Sequence, residues 1–170
     1  MFNASKKSAA LSGWDHFQEG RVAPPLRQLA GQLLASEIKE AKPGLPPRGT
    51  VPALFLVCEK LRPHLATLMG AAGFRALLAR ALVLAAADAP WLGGVRVTAG
   101  GALEGLDGAA APVSEKAFVR GGVELIAQLL GLLATFIGDD LTLRLVREVW
   151  PVATLGDRFL KNGANNEKTN

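Results

Sequence analysis

Side chains that could do chemistry are few in this sequence, and their spacing suits neither metal binding nor nucleophilic catalysis. The one cysteine is Cys58, and the two histidines, His16 and His64, lie far apart without a carboxylate or a second histidine at ligand spacing. Cys58 lies on an apolar helical stripe, a position typical of a buried, inert thiol. The sequence therefore predicts no catalytic cysteine and no metal site.

Carboxylates could supply general acid and base chemistry, but the sequence spacing does not bring two of them together at one site. Asp139 and Asp140 are adjacent in sequence, so on a helix their side chains diverge, and negative charge at this place suits the start of a helical segment. Glu124 borders the most apolar run of the chain. We expect this glutamate to turn to solvent at a helix edge, and burial beside the apolar run is the alternative.

Binding of nucleotides or nucleic acids has no support in the sequence. The chain lacks a P-loop pattern, and the Gly-rich stretch TAGGALEG lacks the spacing of a dinucleotide-binding loop, so we expect it to form a turn. The arginines are scattered, the aromatic residues are few, and the net charge of +4 is only mildly basic. We predict no cofactor and no nucleic-acid partner. The sequence leans against an enzyme without deciding the question.

The composition indicates one packed helical domain. Hydrophobic residues make up 49% of the 170 residues, which supplies enough apolar surface for a core. Leu and Ala dominate and Tyr is absent, a bias that favours helix. We predict an all-α fold, a compact bundle of four to five helices over residues 14–161, with disordered ends at 1–13 and 162–170. The single cysteine and the lack of a secretory signal predict a cytoplasmic protein.

Apolar periodicity predicts the first two helices. The stretch 24–42 has the pattern of an amphipathic surface helix, and the Pro-rich run 43–52 ends it. The stretch 51–73 keeps one apolar stripe through Pro63. Continuity of that stripe predicts a single helix, kinked where the proline removes a hydrogen bond and crowds the preceding turn.

A third helix is predicted over 73–91, with an apolar face and, opposite to it, a face of small residues that carries little charge. Small residues let another helix approach closely, so this helix is either central in the bundle or covered by another subunit. The candidates for interaction on it are Arg75, Ala76, Ala79, Arg80 and Val83.

The segment 89–112 interrupts the helices with six glycines. Val95 and Val97 alternate with polar residues, and a turn near Gly100 and Gly101 would let a second short strand return. A small Gly-rich β-hairpin that leans on the helices and a mobile surface loop both fit this pattern.

The last helix is predicted to begin after Ser114, a suitable N-cap, and to run to Trp150. Its apolar part, 125–138, would cover roughly 21 Å, short of the roughly 30 Å core of a bilayer, so it resembles a helix buried all round by protein. Ala127, Gly131 and Thr135 form a row of small residues where another helix could pack. The predicted packing core is Leu129, Gly131, Leu132 and Phe136. The exposed interaction candidates in the amphipathic second half are Arg144, Arg147 and Trp150.

Two classes of function fit this sequence. The favoured hypothesis is a small soluble interaction protein, an adaptor or regulatory subunit, that acts through helix–helix packing with itself or with a protein partner. Such contacts would bury the apolar surface that a bundle of four helices leaves exposed to solvent. The alternative is a peripheral membrane-associated or membrane-inserting protein that uses the apolar segment 123–138, aided by the positive net charge.

Overall fold

The computed structural model describes residues 22–40 and 50–151 and has an all-α architecture, which confirms the predicted class. The predicted disordered ends, 1–13 and 162–170, lie outside the described residues, as do both ends of the predicted domain 14–161. The elements in chain order are α1 (Pro24–Glu40), α2 (Thr50–Asp88), a 3₁₀ turn (Pro90–Gly94), β1 (Arg96–Val97), β2 (Leu103–Glu104), α3 (Leu106–Ala110), α4 (Glu115–Ile137) and α5 (Asp139–Val149).

The central helix is α4, which packs against both α1 and α2. Its side chains Leu125, Ile126, Leu129 and Leu130 are completely buried. Protein helices therefore shield this apolar run from solvent, as its lack of a polar face predicts. Ser114 caps the start of α4 as expected, because its hydroxyl accepts a hydrogen bond from the backbone N–H of Ala117 at 3.3 Å.

Two adjacent glycines of α4 allow close packing in the core. A Cβ atom on Gly121 would lie 2.6–2.8 Å from the Trp91 indole, and one on Gly122 would lie 3.2 Å from Leu34. The tight approach therefore occurs at these positions and not at Gly131, where an added Cβ would meet only Val22 at an ordinary 3.7 Å. The predicted row of small residues through Gly131 is not the site of a tight helix crossing among the described residues.

Helix α2 changes direction at Gly70 and not at Pro63. Gly70 has φ 77° and ψ 162°, a conformation that side chains with a Cβ rarely adopt. Pro63 lies within the helix, and the Thr67 hydroxyl donates to the Pro63 carbonyl at 2.8 Å. The kink predicted at Pro63 is therefore wrong, because the glycine gives up helical geometry more easily than the proline. The break falls near residue 73, where the second predicted helix ends and the third begins.

The Gly-rich segment forms the β-hairpin and not an irregular loop. Its strands are antiparallel, with Arg96 opposite Glu104 and Val97 opposite Leu103. The turn closes where the Gly101 N–H donates to the Thr98 carbonyl at 2.9 Å, and Gly101 has a positive φ of 80°. The side chain of Leu103 is buried, so the hairpin is anchored to the helical core.

The long final helix predicted from 114 to 150 is in fact two helices. Gly138 has φ 90° and ψ 160°, and α5 begins immediately after it. Asp139 and Asp140 occupy the first turn of α5, where their charges suit the positive end of the helix dipole, as expected. The continuous helix was wrong because the apolar period runs through Gly138 without showing the change of axis.

Candidate interaction surface

A groove between α2 and α5 exposes large apolar side chains on the surface. Only five large hydrophobic side chains are exposed among the described residues: Leu56, Leu68, Val83, Phe136 and Leu141. Two of them, Leu68 (56% exposed) and Leu141 (54% exposed), line the same groove of about 530 Å³. A third, Phe136, is next in sequence to the groove residue Ile137. The groove is lined by Pro63, His64, Thr67, Leu68, Ile137, Leu141, Arg144, Leu145 and Glu148.

The two walls of the groove follow from the local sequence of each helix. On α5, Leu141, Arg144 and Glu148 recur at helical spacing and form one open stripe, while Thr142 and Val146 are completely buried on the opposite side. On α2, the stripe of His64 and Leu68 precedes the break at Gly70. Because helical geometry breaks at Gly138, α5 has an axis different from that of α4. It can therefore form a separate wall of the groove.

The rim of the groove carries charges of both signs. Arg144 and Glu148 line it from α5, and Asp140, also exposed, lies one helical turn before Arg144. The α2 side contributes the half-buried His64. Protein-binding surfaces in general combine an apolar centre with charges at the edge, and this groove has both features.

Helix α5 is held in place by a polar cluster that the sequence did not reveal. The Trp150 Nε1–H donates to the Glu37 Oε1 atom at 2.8 Å, and Lys60 forms an ion pair with the same carboxylate. Burial lowers the pKa of Lys60, but the hydrogen bond and charge of Glu37, together with the charge of Glu40, outweigh it and raise that pKa overall. Glu37 is 2% exposed, so these partners satisfy an otherwise costly buried charge.

The position of Trp150 corrects its assignment as an exposed interaction residue. Trp150 is 3% exposed and Lys60 lies over its ring, 5.9 Å from the ring centroid. The amphipathic pattern predicted Trp150 at the end of a helix. The sequence alone cannot show that Glu37 of α1 and Lys60 of α2 contact it there. Among the other candidates on α5, Arg144 is exposed and Arg147 is half-buried.

A second correction concerns the predicted packing core. Leu129 is completely buried, and Gly131 and Leu132 are half-buried. Phe136 is 69% exposed, so its assignment to the core of the single chain is wrong. The half of α4 after Gly131 is less buried than the half before it, although Leu133 there is completely buried.

Glu124 also differs from its expected place at the helix surface. It is 6% exposed, and its Oε2 atom lies 2.8 Å from Arg27 Nη2. The Gln128 side-chain amide donates to its other oxygen at 3.0 Å. This cluster links α1 to α4 and gives the buried carboxylate a charged partner and a hydrogen-bond donor.

The small-residue face of α2 is open and is not central in the bundle. Arg75, Ala76 and Arg80 are exposed, Val83 is 70% exposed, and Ala79 is half-buried. The alternative that placed this helix at the centre is therefore wrong, since α4 occupies that position. Cover by another subunit stays a prediction for this face.

Metal-binding side chains and the single cysteine were the candidates for chemistry in the described part of the chain. No three His, Cys, Asp or Glu side chains group closely enough there to hold a metal ion. Cys58 is buried as expected, and desolvation by burial, with a smaller contribution from the charge of Glu59, raises its pKa to about 12. The thiol is therefore a poor nucleophile at neutral pH. His16 lies outside the described residues.

Two helical stretches, Ala53–Asp88 and Glu115–Ile137, are long and apolar enough to cross a membrane by length and composition alone. Core helices of soluble proteins pass the same test. Within the chain, 61% of the apolar window of the second stretch is buried against 28% of the first, so the second has the burial of a core helix.

Comparison with protein families, with curated protein sequences and with solved structures found no match for this chain.

Proposed function

We propose that this chain is a small cytoplasmic helical interaction protein, an adaptor or regulatory subunit, that acts through helix–helix packing with a protein chain. The observation that supports the proposal is the groove between α2 and α5. Leu68 and Leu141 are each more than half exposed at its edges, while the core beneath is closed. Leaving such side chains in water costs about 1 kcal/mol or more for each leucine relative to burial, so a partner helix gains free energy by covering them.

Site-specific photo-crosslinking tests this proposal. A photoreactive amino acid placed at position 141 is expected to give one covalent adduct of discrete mass with a protein in the native host. The matched control is the same group at Lys116, which is exposed at the start of α4 and should give none. Leu68→Asp should abolish the adduct from position 141, because it puts a charge on the groove wall. An adduct that survives Leu68→Asp, or equal adducts from both positions, would contradict a groove-specific partner.

A peripheral membrane protein is the second candidate, and the exposure of Phe136 at the end of the apolar segment 123–138 favours it. This reading predicts that the chain floats with vesicles of anionic phospholipid at low salt, and that Phe136→Ser abolishes flotation. In the crosslinking experiment it predicts adducts with lipid and none with protein. Protein that stays at the bottom of the gradient with these vesicles would exclude it.

A further inference from the structure

We propose that the groove between α2 and α5 is occupied by α5 of a second copy of this chain, in an antiparallel pair about a twofold axis beside Leu141. This inference rests on the proposed function and names its partner. In a twofold interface the same patch serves both subunits, so its surface must be complementary to itself. The open stripe of α5 meets that condition in both its charges and its apolar side chains.

Charge complementarity sets the direction of the pair. The first turn of α5 carries Asp139 and Asp140, and Arg144 follows one turn later. A parallel pair would bring like charges together. An antiparallel pair centred beside positions 141–142 places Arg144 of each copy against Asp140 of the partner subunit, and the twofold axis makes this contact twice.

The same centre brings the exposed apolar side chains together. Leu141 lies next to the axis, so the two copies of this residue contact each other. Leu68, on the α2 wall of the groove, covers each copy of Leu141. Leu68 and Leu141 both line the groove, and each is more than half exposed in the single chain. Association would bury the floor of two grooves at once, with the charge pairs at its edge.

A charge swap tests the pairing. The purified wild-type chain should have twice the 17.8 kDa chain mass by size-exclusion chromatography with light scattering. Arg144→Asp and Asp140→Arg should each weaken the dimer about tenfold or more, because each creates two like-charge contacts. The double variant Asp140→Arg/Arg144→Asp should restore it. Arg120→Asp, exposed in the first half of α4, is the control and should leave the mass unchanged.

A covalent test does not depend on the stability of the charge variants. Leu141→Cys should form a disulfide-linked dimer under a mild oxidant, because the two copies of the residue meet at the axis, and the buried Cys58 should not take part. Ala87→Cys, exposed on α2, should form no disulfide-linked dimer under the same conditions. Circular dichroism at the same concentrations checks that each variant is folded.

The outcomes separate this inference from the proposed function. A wild-type monomer at every concentration, or a double swap that does not restore the dimer, overturns the twofold pairing. If position 141 still crosslinks to a different protein in the host, the interaction function stands and the partner is another chain. If position 141 gives no protein adduct at all, both proposals fail.

Discussion

Gly121 and Gly131 lie on the same helix, yet their surroundings differ. At Gly121 an added Cβ would lie only 2.6–2.8 Å from the Trp91 ring, whereas at Gly131 it would lie at an ordinary 3.7 Å from Val22. The sequence shows two glycines in an apolar helix and cannot distinguish them. Trp91, which leaves too little room for a side chain at Gly121, belongs to the 3₁₀ turn. No local sequence pattern predicts where that turn packs.

Substitution by alanine should separate the two glycines. Gly121→Ala is expected to lower the free energy of unfolding by about 1–3 kcal/mol, because the ring of Trp91 must shift to admit the methyl group. Gly131→Ala should be neutral or raise it by up to about 1 kcal/mol through better helix propensity. Chemical denaturation followed by circular dichroism measures both. Equal effects would mean that Trp91 does not pack on Gly121.

Cys58 should give the folded state a distinct alkaline pH dependence. Burial raises the pKa of its thiol from 9.0 to about 12, so the folded state binds the proton more tightly than the unfolded state does. This contribution to stability is complete below pH 9 and is lost as the pH rises toward 12. We expect the free energy of unfolding to fall over that window.

Cys58→Ala is the control for this pH dependence, because it removes the thiol and should flatten the decline even though it lowers stability at neutral pH. The pKa of Lys60 is also raised, so Lys60 lowers the free energy of unfolding only above pH 10.5. The decrease in that free energy between pH 9 and 10.5 is therefore due to the thiol. Urea unfolding measured at intervals of pH gives the curve. An identical slope in the variant would show that Cys58 is accessible to water.

At the scale of elements, helical periodicity predicted where helices form, but it located only one of their two breaks. The apolar stripes of α1, α2 and α4 are set by side chains within each helix, so they are visible in the sequence. The break at Gly70 falls near the predicted boundary at 73, whereas Gly138 looks like the helical glycines of α4 in the sequence. Whether a glycine stays helical depends on the tertiary packing of the next segment. The acidic pair after Gly138 was the one available signal of a new helix start.

Gly138→Ala should be costly although nothing crowds this glycine. No atom lies within 4 Å of an added Cβ, so any loss must come from the positive φ of 90°. We expect a decrease of about 1–3 kcal/mol in the free energy of unfolding. Gly108→Ala is the matched control, since Gly108 is also uncrowded but has no positive φ. If both variants unfold alike, the break between α4 and α5 is not as described.

At the scale of the whole molecule, the polar contacts that join the helices connect distant parts of the chain. Arg27 and Glu124 are 97 positions apart, and Glu37 and Trp150 are 113 apart. Sequence patterns report local spacing, so the burial of both glutamates and of Trp150 could not be read from them. For the same reason the exposed candidates Arg144 and Val83 were found, but the groove between α2 and α5 was not.

The Glu37 cluster determines the position of α5, and a pair of tryptophan variants can measure its contribution. Trp150→Phe removes the donor to Glu37 and leaves a buried carboxylate with one partner fewer, so we expect a loss of about 1–3 kcal/mol beyond the change in packing. Trp91→Phe is the control, because the Trp91 Nε1 atom is buried without a hydrogen-bond partner among the described residues. Its removal should cost only the packing difference.

The difference between these two variants in denaturant unfolding therefore reports the Trp150–Glu37 hydrogen bond. Trp150→Phe should also affect association, because a displaced α5 no longer presents Leu141 and Arg144 on the groove wall. We expect Trp150→Phe to weaken self-association although residue 150 lies at the buried end of the helix, away from the groove. If stability falls but the mass in solution is unchanged from that of a wild-type dimer, then the anchoring of α5 and the docking surface are independent of each other.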